Sequence, residues 1–169
     1  MKILVFSDSH GDVETMCGVV NVEKPDMIIH LGDSIEDADE LNAEYSDIPM
    51  IKVSGNTDTG SKTQHVEICG KYFMLTHGDT FNVDKGEMRN TNGISDMALH
   101  GFNNGANIIL FGHSHEPYVN CRNGKWIMNP GRIGRISSKI IHATYGFLII
   151  ENGKIQWSFK EVEKRSTSS

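Results

Sequence analysis

Hydrophobic residues in the first third of the chain form short runs that alternate with mixed stretches. The runs Ile3–Phe6, Met27–Leu31 and Met50–Val53 predict buried strands. The intervening stretches, from about Asp12 to Val22 and from Ile35 to Tyr45, predict helices. This alternation of strand and helix is typical of parallel strands joined by crossover helices.

The pattern changes after the third strand. Gln64–Cys69 and Tyr72–Leu75 predict two strands joined across Gly70-Lys71. A helical pattern runs from about Lys85 to Asn103, and Asn107–Phe111 predicts another buried strand.

Two Asn-Gly pairs then separate strand-like runs. Asn-Gly is the strongest short signal for a hairpin, because both residues of the turn need positive φ. The first pair joins Tyr118–Cys121 to Lys125–Met128, and the second joins Tyr145–Ile150 to Lys154–Phe159. A parallel α/β half is therefore followed by a half rich in antiparallel strands. Two mixed sheets packed face to face, with helices outside, would accommodate both halves.

Composition narrows the class of protein. With 169 residues, 38% hydrophobic and 22% charged, the chain fits one soluble domain, which we place at residues 1–164 with a polar tail at 165–169. A net charge of −6 argues against an extended nucleic-acid surface. No apolar stretch approaches the roughly 18 residues of a membrane helix, and the three widely spaced cysteines form no CxxC pair. We therefore expect a cytoplasmic protein without membrane contact.

Five polar, glycine-containing clusters stand directly after predicted strands. In α/β sheets, ligand sites gather at the carboxyl ends of strands, so we expect these clusters to meet. They occupy 7–11, 32–33, 54–58, 76–79 and 112–115.

Each cluster alone has an ordinary structural explanation. Asp8 and His10 could be a turn residue and a surface histidine, and Asp33 could cap a helix. Asn56 could occupy a turn, and His77 could lie at a strand end.

The double histidine is less easily explained in this way. Alternate residues of an extended chain point to opposite sides, so His113 and His115 can face one site only if the chain bends. Together the clusters supply four histidines, two aspartates and one asparagine. This nitrogen and oxygen set suits Mn, Fe, Co, Ni or Zn better than Ca or Mg. The set is too large for one catalytic ion with open positions, and it fits a pair of ions that share a carboxylate.

These clusters resemble the ligand motifs of the calcineurin-like metallophosphoesterases. The ligand motifs run from Asp8 to His115, and the order of elements extends the resemblance to almost the whole chain. The size of the chain and Asn129-Pro130-Gly131 are similar to the small bacterial and archaeal phosphodiesterase branch, to which the eukaryotic retromer subunit of the same fold is related. The resemblance implies a four-layer α/β/β/α fold.

The resemblance also implies a role for each matching residue. The first metal would be held by Asp8, His10 and His115, the second by Asn56, His77 and His113, and Asp33 would bridge them. Asp33, Asn56 and His10 would be catalytic, with His10 close to the leaving group. The cofactors implied are two divalent ions, Mn first and Ni, Co, Fe or Zn as alternatives.

Residues around this set have two interpretations each. Asp12, Asp58 and Asp79 would orient histidines, or they would be solvated loop acids. Arg132, or Arg135, would grip a phosphate, or it would be a surface residue of a loop.

One departure from the family concerns the residue after Asn56. Many larger relatives carry there a histidine that can protonate the leaving group, whereas this chain has Thr57. The small branch commonly lacks that histidine too, so the departure bears on catalytic power rather than on membership.

The function implied is hydrolysis of a small phosphodiester by a metal-activated water. Two alternatives stay open: a phosphomonoesterase or nucleotide esterase on the same centre, and a non-catalytic protein-binding scaffold. The sequence also leaves open the oligomeric state, a homo-oligomer included, and the roles of 94–102 and 134–143.

Overall fold

The computed structural model describes residues 1–83, 91–134 and 143–162. Three features considered from the sequence lie wholly or mostly outside the described residues: the first turns of the 85–103 helix, the 134–143 region and the 165–169 tail.

The described elements follow the predicted order of strands and helices. The strands are β1 (Lys2–Phe6), β2 (Met27–His30), β3 (Met50–Lys52), β4 (Thr63–Ile68), β5 (Lys71–Thr76), β6 (Ile108–Leu110), β7 (Pro117–Arg122), β8 (Lys125–Pro130), β9 (Thr144–Glu151) and β10 (Lys154–Glu161). The helices are α1 (Val13–Glu23), α2 (Ile35–Glu44) and α3 (Thr91–Asn103), and a short 3-10 helix spans Asp79–Phe81.

The strands form two five-stranded sheets. The first has the order β10-β9-β1-β2-β3, with β1, β2 and β3 parallel and β9 antiparallel to β1. The second has the order β4-β5-β6-β8-β7, in which β5, β6 and β8 are parallel. Both sheets are therefore mixed, as predicted.

The two sheets do not correspond to the N-terminal and C-terminal halves of the chain. The C-terminal hairpin of β9 and β10 returns to the first sheet and pairs with β1. The reason lies in β9, whose residues are buried on both faces except near its end. Such a strand belongs inside a sheet. By pairing with β1, whose inner residues are fully buried, β9 also covers a strand edge that would otherwise be open.

The first hairpin differs from its prediction by one residue. Positive φ falls at Cys69 (52°) and Gly70 (71°), so the turn is Cys69-Gly70 rather than Gly70-Lys71. A two-residue turn of this hand needs left-handed backbone at both positions, and here a cysteine adopts the first. At the two Asn-Gly pairs the prediction is confirmed, with positive φ at all four residues.

Three apolar clusters fill the spaces between four layers. One lies between the sheets and includes Val5, Leu75 and Leu110. The second packs α1 and α2 on the first sheet, and the third packs α3 on the second sheet. This arrangement confirms the α/β/β/α architecture. None of the described helices is long and apolar enough to cross a membrane.

The polar clusters meet at one end of the sandwich. Within the first sheet, the Asp8 N–H donates to the Gly32 carbonyl at 2.9 Å, and within the second, the Gly112 N–H donates to the His77 carbonyl at 2.9 Å. The His113 N–H crosses between the sheets to the Asp8 carboxylate at 3.1 Å. The carboxyl ends of β1, β2, β5 and β6 are thereby joined into one site.

Candidate metal centre

Asp8 is fully buried, and only one of its two carboxylate oxygens accepts hydrogen bonds. Its Oδ2 accepts from the Ser7 hydroxyl at 2.6 Å and from the His113 N–H at 3.1 Å. Its Oδ1 has no hydrogen-bond partner among the described residues and lies 3.1 Å from His115 Nε2. The first oxygen fixes the carboxylate, and the second points to His115.

His10 completes this first group. Its Nε2 lies 3.9 Å from Asp8 Oδ1 and 3.8 Å from Asp33 Oδ2. Its ring meets that of His115 edge-on, with 5.8 Å between centroids. The ligand atoms of Asp8, His10 and His115 all lie within 4.8 Å of one another, which is compact enough to hold one metal ion.

Asp33 lies between the first group and a second one. Its Oδ1 accepts from the Thr57 N–H at 3.2 Å and from the Thr57 hydroxyl at 3.1 Å, and lies 3.4 Å from His77 Nε2. Its Oδ2 has no hydrogen-bond partner among the described residues and faces His10 at 3.8 Å. One oxygen is thus directed to each group.

His77 anchors the second group, and its tautomer follows from its neighbours. Nδ1 lies 2.7 Å from the Leu31 carbonyl, which can only accept, so Nδ1 carries the proton. In the neutral ring this leaves the Nε2 lone pair, which lies 3.1 Å from His113 Nδ1 and 3.3 Å from Asn56 Oδ1. A backbone carbonyl that fixes the ring in this way is a common arrangement for histidines that bind metal.

The charges in the site stabilise one another. Burial raises the pKa of Asp8, but the neighbouring His115, the charge of His77 and the Ser7 hydroxyl outweigh it, so the pKa lies below its usual value. Burial likewise opposes the lowered pKa of Asp33, where His77 is the main stabilising partner. In return, Asp33 and Asp8 raise the pKa of His77 against the effect of burial.

His10 differs from His77 in the direction in which its surroundings shift its pKa. Burial lowers its pKa, the charge of Arg132 lowers it further, and Asp8 and Asp33 oppose these effects without reversing them. A histidine that stays neutral keeps a nitrogen lone pair for a metal or a proton.

Left-handed backbone shapes the loops that carry the ligands. Positive φ occurs at Asp8 (57°), His10 (44°), Asp33 (58°), His113 (66°) and His115 (65°). The positive φ values at His113 and His115 produce the bend that lets both histidines face one site. Glycines let these loops pack closely: a Cβ at Gly55 would collide with the Asp33 carboxylate, and one at Gly112 with the Ser7 hydroxyl.

The donor set fits divalent metal ions. Among the described residues, six buried polar side-chain atoms have no hydrogen-bond partner, and three of them belong to this set: Asp8 Oδ1, Asp33 Oδ2 and His115 Nε2. A buried polar atom without a partner costs free energy, and a cation between them would remove that cost. Asp33, His77 and His113 form a second compact group with ligand atoms within 4.8 Å.

Asp58 contacts backbone rather than a histidine. Its Oδ1 accepts from the N–H groups of Ser34 and Ile35, both at 3.0 Å, and its Oδ2 accepts from that of Gly55 at 2.8 Å. Asp58 therefore caps α2 and ties the loop of Asn56 to the loop of Asp33.

The remaining acids have separate surroundings. Asp12 caps α1 by accepting from the Thr15 N–H at 3.2 Å. Asp79 forms an ion pair with Lys62 at 3.7 Å, and Lys62 also donates to the Gly55 carbonyl. Lys62 had no signal in the sequence, because it lies outside the clusters that follow strands.

Arg132 lies at the border of the site. Its Nε donates to the Gly134 carbonyl at 3.0 Å. Burial lowers the pKa of its guanidinium, an effect that the carboxylates of Asp8 and Asp33 partly offset. A positive charge therefore lies within electrostatic reach of the first group.

Comparison with known proteins identifies the class. Residues 1–153 match the calcineurin-like phosphoesterase superfamily domain, and the chain belongs to this family, whose members use divalent metals. A probable metallophosphoesterase from Bacillus subtilis, YsnB, is 30% identical over 162 residues that cover 90% of this chain and 86% of the relative.

Solved structures agree with this assignment. A predicted phosphoesterase from Streptococcus pneumoniae has a TM-score of 0.69 at 26% identity, covering 95% of this chain and 88% of the other. Two more distant structures show the fold alone. One is an archaeal phosphodiesterase, with a TM-score of 0.66, 20% identity, and coverage of 95% and 100%. The other is a Vps29 double mutant from Entamoeba histolytica, with a TM-score of 0.70, 17% identity, and coverage of 96% and 100%.

Proposed function

We propose that this protein is a phosphodiesterase that works with two divalent metal ions. The observation that carries the proposal is the position of Asp33, whose two oxygens face two separate ligand groups. A shared carboxylate is what holds two ions close enough to act on one phosphate.

In this proposal each group of residues holds one ion. Asp8, His10 and His115 hold the first, Asn56, His77 and His113 hold the second, and Asp33 bridges them. We favour Mn²⁺, with Ni, Co, Fe or Zn as alternatives, because the set mixes imidazole with carboxylate and amide oxygen. When bound, the ions supply an activated water and neutralise the phosphate.

The other residues bind and orient the substrate. Arg132 offers a guanidinium that pairs with a phosphate oxygen, within electrostatic reach of the first group. His10 is 27% exposed in its side chain and neutral, so it can meet the leaving group from the open side of the site. The Thr57 hydroxyl donates a hydrogen bond to Asp33, so its role is to hold the bridging carboxylate rather than to protonate the leaving group.

The preference for diesters is tested with matched substrates. We expect Mn²⁺-dependent hydrolysis of bis-p-nitrophenyl phosphate to exceed that of p-nitrophenyl phosphate. The similarity in fold to an archaeal phosphodiesterase supports this preference for the diester over the monoester. Faster turnover of the monoester would favour the phosphomonoesterase alternative, and no turnover of either ester with Mn, Ni, Co or Zn would refute an esterase.

The second group is tested by His77→Ala. The loss of Nε2 removes one ligand of the second ion, so we expect at least a hundredfold loss of diester hydrolysis and the loss of one metal equivalent. His65→Ala is the matched control, because His65 is an exposed histidine of β4. Equal activity of the two variants would contradict the assignment. The binding-scaffold alternative has less support, because every ligand position of the family motif is filled and its side chain lies at the site.

We also propose that the protein works in the cytoplasm. Its three cysteines are free, and Cys69 and Cys121 are exposed. Exposed thiols persist in a reducing compartment and are oxidised outside it.

A further inference from the structure

A buried network of three polar side chains lies behind the first ligand group. Ser9 stands in the sequence between Asp8 and His10, and it contacts His30 of β2 and Asp37 of α2. Ser9 and His30 are fully buried, and Asp37 is 9% exposed. We call Ser9, His30 and Asp37 the Ser9 network.

The direction of each hydrogen bond in the network is determined. The Gly32 N–H donates to His30 Nδ1 at 3.2 Å, so that nitrogen carries no proton. Burial lowers the pKa of His30 to about 4, so at neutral pH the ring is neutral and carries its proton on Nε2. Nε2 then donates to Ser9 Oγ at 3.1 Å, and the Ser9 hydroxyl donates to Asp37 Oδ2 at 2.7 Å. The Gly11 N–H donates to the same Oδ2 at 2.7 Å.

These bonds hold the backbone on both sides of His10. Asp37 receives one bond from Ser9 and one from Gly11, so its carboxylate spans the turn that presents His10. His30 joins this turn to Gly32, the neighbour of Asp33.

The turn needs such support because its backbone is strained. Asp8 and His10 both have positive φ, a conformation that is strained at a residue other than glycine and persists only where surrounding contacts enforce it. Asp37 and Ser9 make those contacts from behind the residues of the first ligand group.

The network flanks His10 directly and reaches the second ligand group only through Asp33, which the two groups share. Its hydrogen bonds extend to the loops of Asp8 and His10 and, through Gly32 and the Asp33 carbonyl, to the loop of Asp33. His77 is instead fixed through the Leu31 carbonyl, and Asn56 lies in a loop tied by Asp58. Apart from Asp33, the residues of the two proposed metal sites are thus supported by separate sets of contacts.

We propose that the Ser9 network positions the ligands of the first metal site and raises the affinity of that site more than that of the second. The inference rests on the proposed function, because it takes the two ligand groups to be two metal sites. In this inference, Ser9, His30 and Asp37 support Asp8 and His10 without binding the metal themselves.

The test uses Asp37→Ala in two backgrounds that each retain one site. His77→Ala weakens the second site and leaves the first to be titrated, and His115→Ala does the reverse. Mn²⁺ binding to the purified full-length chain is measured by calorimetry, with circular dichroism to verify folding. We expect Asp37→Ala to weaken Mn²⁺ binding about 10–100-fold in the His77→Ala background and less than about threefold in the His115→Ala background.

Two matched variants separate positioning from general stability. Asp37→Asn can place its amide oxygen where Oδ2 accepts from Ser9 and Gly11, so we expect it to restore most of the affinity. Glu40→Ala removes an exposed carboxylate from the same helix and should leave both sites unchanged. Equal weakening of both sites, no weakening of either, or a failure of Asp37→Asn to restore binding would overturn the inference.

A spectroscopic measurement tests the network in the metal-free chain. We expect the ¹⁵N shifts of His30 to show a protonated Nε2 and a bare Nδ1 at pH 7, and Ser9→Ala to change the Nε2 signal. The opposite tautomer would overturn the inference even with metal binding intact. Failure of the wild-type chain to bind Mn²⁺ at all would instead refute the proposed function, and the inference with it.

Discussion

At the scale of single residues, the site depends on close packing of loops as much as on its ligands. Gly55 has no side chain, and this lets its loop lie directly against Asp33. The sequence showed a glycine in each cluster, which indicated tight turns. It could not show which atoms the absent side chains would have met, because those atoms come from another loop.

Gly55→Ala tests this packing. A methyl group would displace the Asp33 carboxylate, so we expect diester hydrolysis to fall at least tenfold and metal binding to weaken. The control is Gly18→Ala within α1, where a Cβ meets nothing within 4 Å. That variant should keep full activity and gain about 0.5–1 kcal/mol in the free energy of unfolding. Full activity of Gly55→Ala would contradict the packing argument.

His30 gives the fold a dependence on acid. Its pKa is about 4 in the folded protein and near 6.5 in the unfolded chain, so only the unfolded chain takes up this proton between these values. The contribution to stability is present above pH 6.5 and is lost as the pH falls toward 4. We expect a loss of roughly 2–3 kcal/mol between pH 7 and pH 4.5, from 1.36 kcal/mol per pKa unit.

The measurement is urea unfolding of the metal-free protein at both pH values. His30→Gln keeps a donor for Ser9 but cannot take up a proton, so it should lose less stability than the wild type over the same interval. Identical losses in both proteins would show that His30 is not the titrating group.

At the scale of elements, the sequence predicted all ten described strands and the three described α-helices, but not the short 3-10 helix at Asp79–Phe81. Its patterns were strong because strands buried on both faces appear as continuous apolar runs and hairpins carry Asn-Gly. The weaker points were the exact turn at Cys69-Gly70 and the pairing of β9, since pairing depends on which edges the rest of the fold leaves open.

The start of α2 shows a contact that the sequence suggested only in part. Asp33 had an alternative interpretation as a helix cap, but Asp58 from the following loop accepts from the first N–H groups of this helix. Capping by a distant residue leaves no local pattern. The sequence therefore predicted that Asp58 orients a histidine or is a solvated loop acid, and not that it accepts from the backbone of this helix.

Asp58→Ala tests this cap. Three N–H groups would lose their acceptor, so we expect the free energy of unfolding of the metal-free protein to fall by about 1–2 kcal/mol. Asp47→Ala, at an exposed aspartate between α2 and β3, is the control and should change it by less than about 0.5 kcal/mol. Equal effects in urea unfolding would remove Asp58 from this role.

At the scale of the whole molecule, the two sheets bring together residues that lie far apart in the chain. The His113 N–H bonds to Asp8 across 105 positions of sequence. The rule that ligands gather at the carboxyl ends of strands predicted a common site, but not this contact, because the packing of one sheet on the other decides it.

The Ser9 network is a feature that the sequence alone did not predict. His30 falls at the end of an apolar run and Asp37 in an acidic helix, so neither has a distinctive pattern. Only the packing of α2 against the first sheet brings them to Ser9, and residues that support ligands from behind are found only once the fold is known.

We propose that the seven clustered side chains hold two metal ions that hydrolyse a phosphodiester. Metal content and hydrolysis of bis-p-nitrophenyl phosphate should be measured on one purified sample, before and after the addition of Mn²⁺. We expect about two metal ions per chain, and turnover that appears or rises with their binding. A sample that binds no metal and gives no turnover with Mn, Ni, Co or Zn would contradict it and would favour a binding scaffold with this fold.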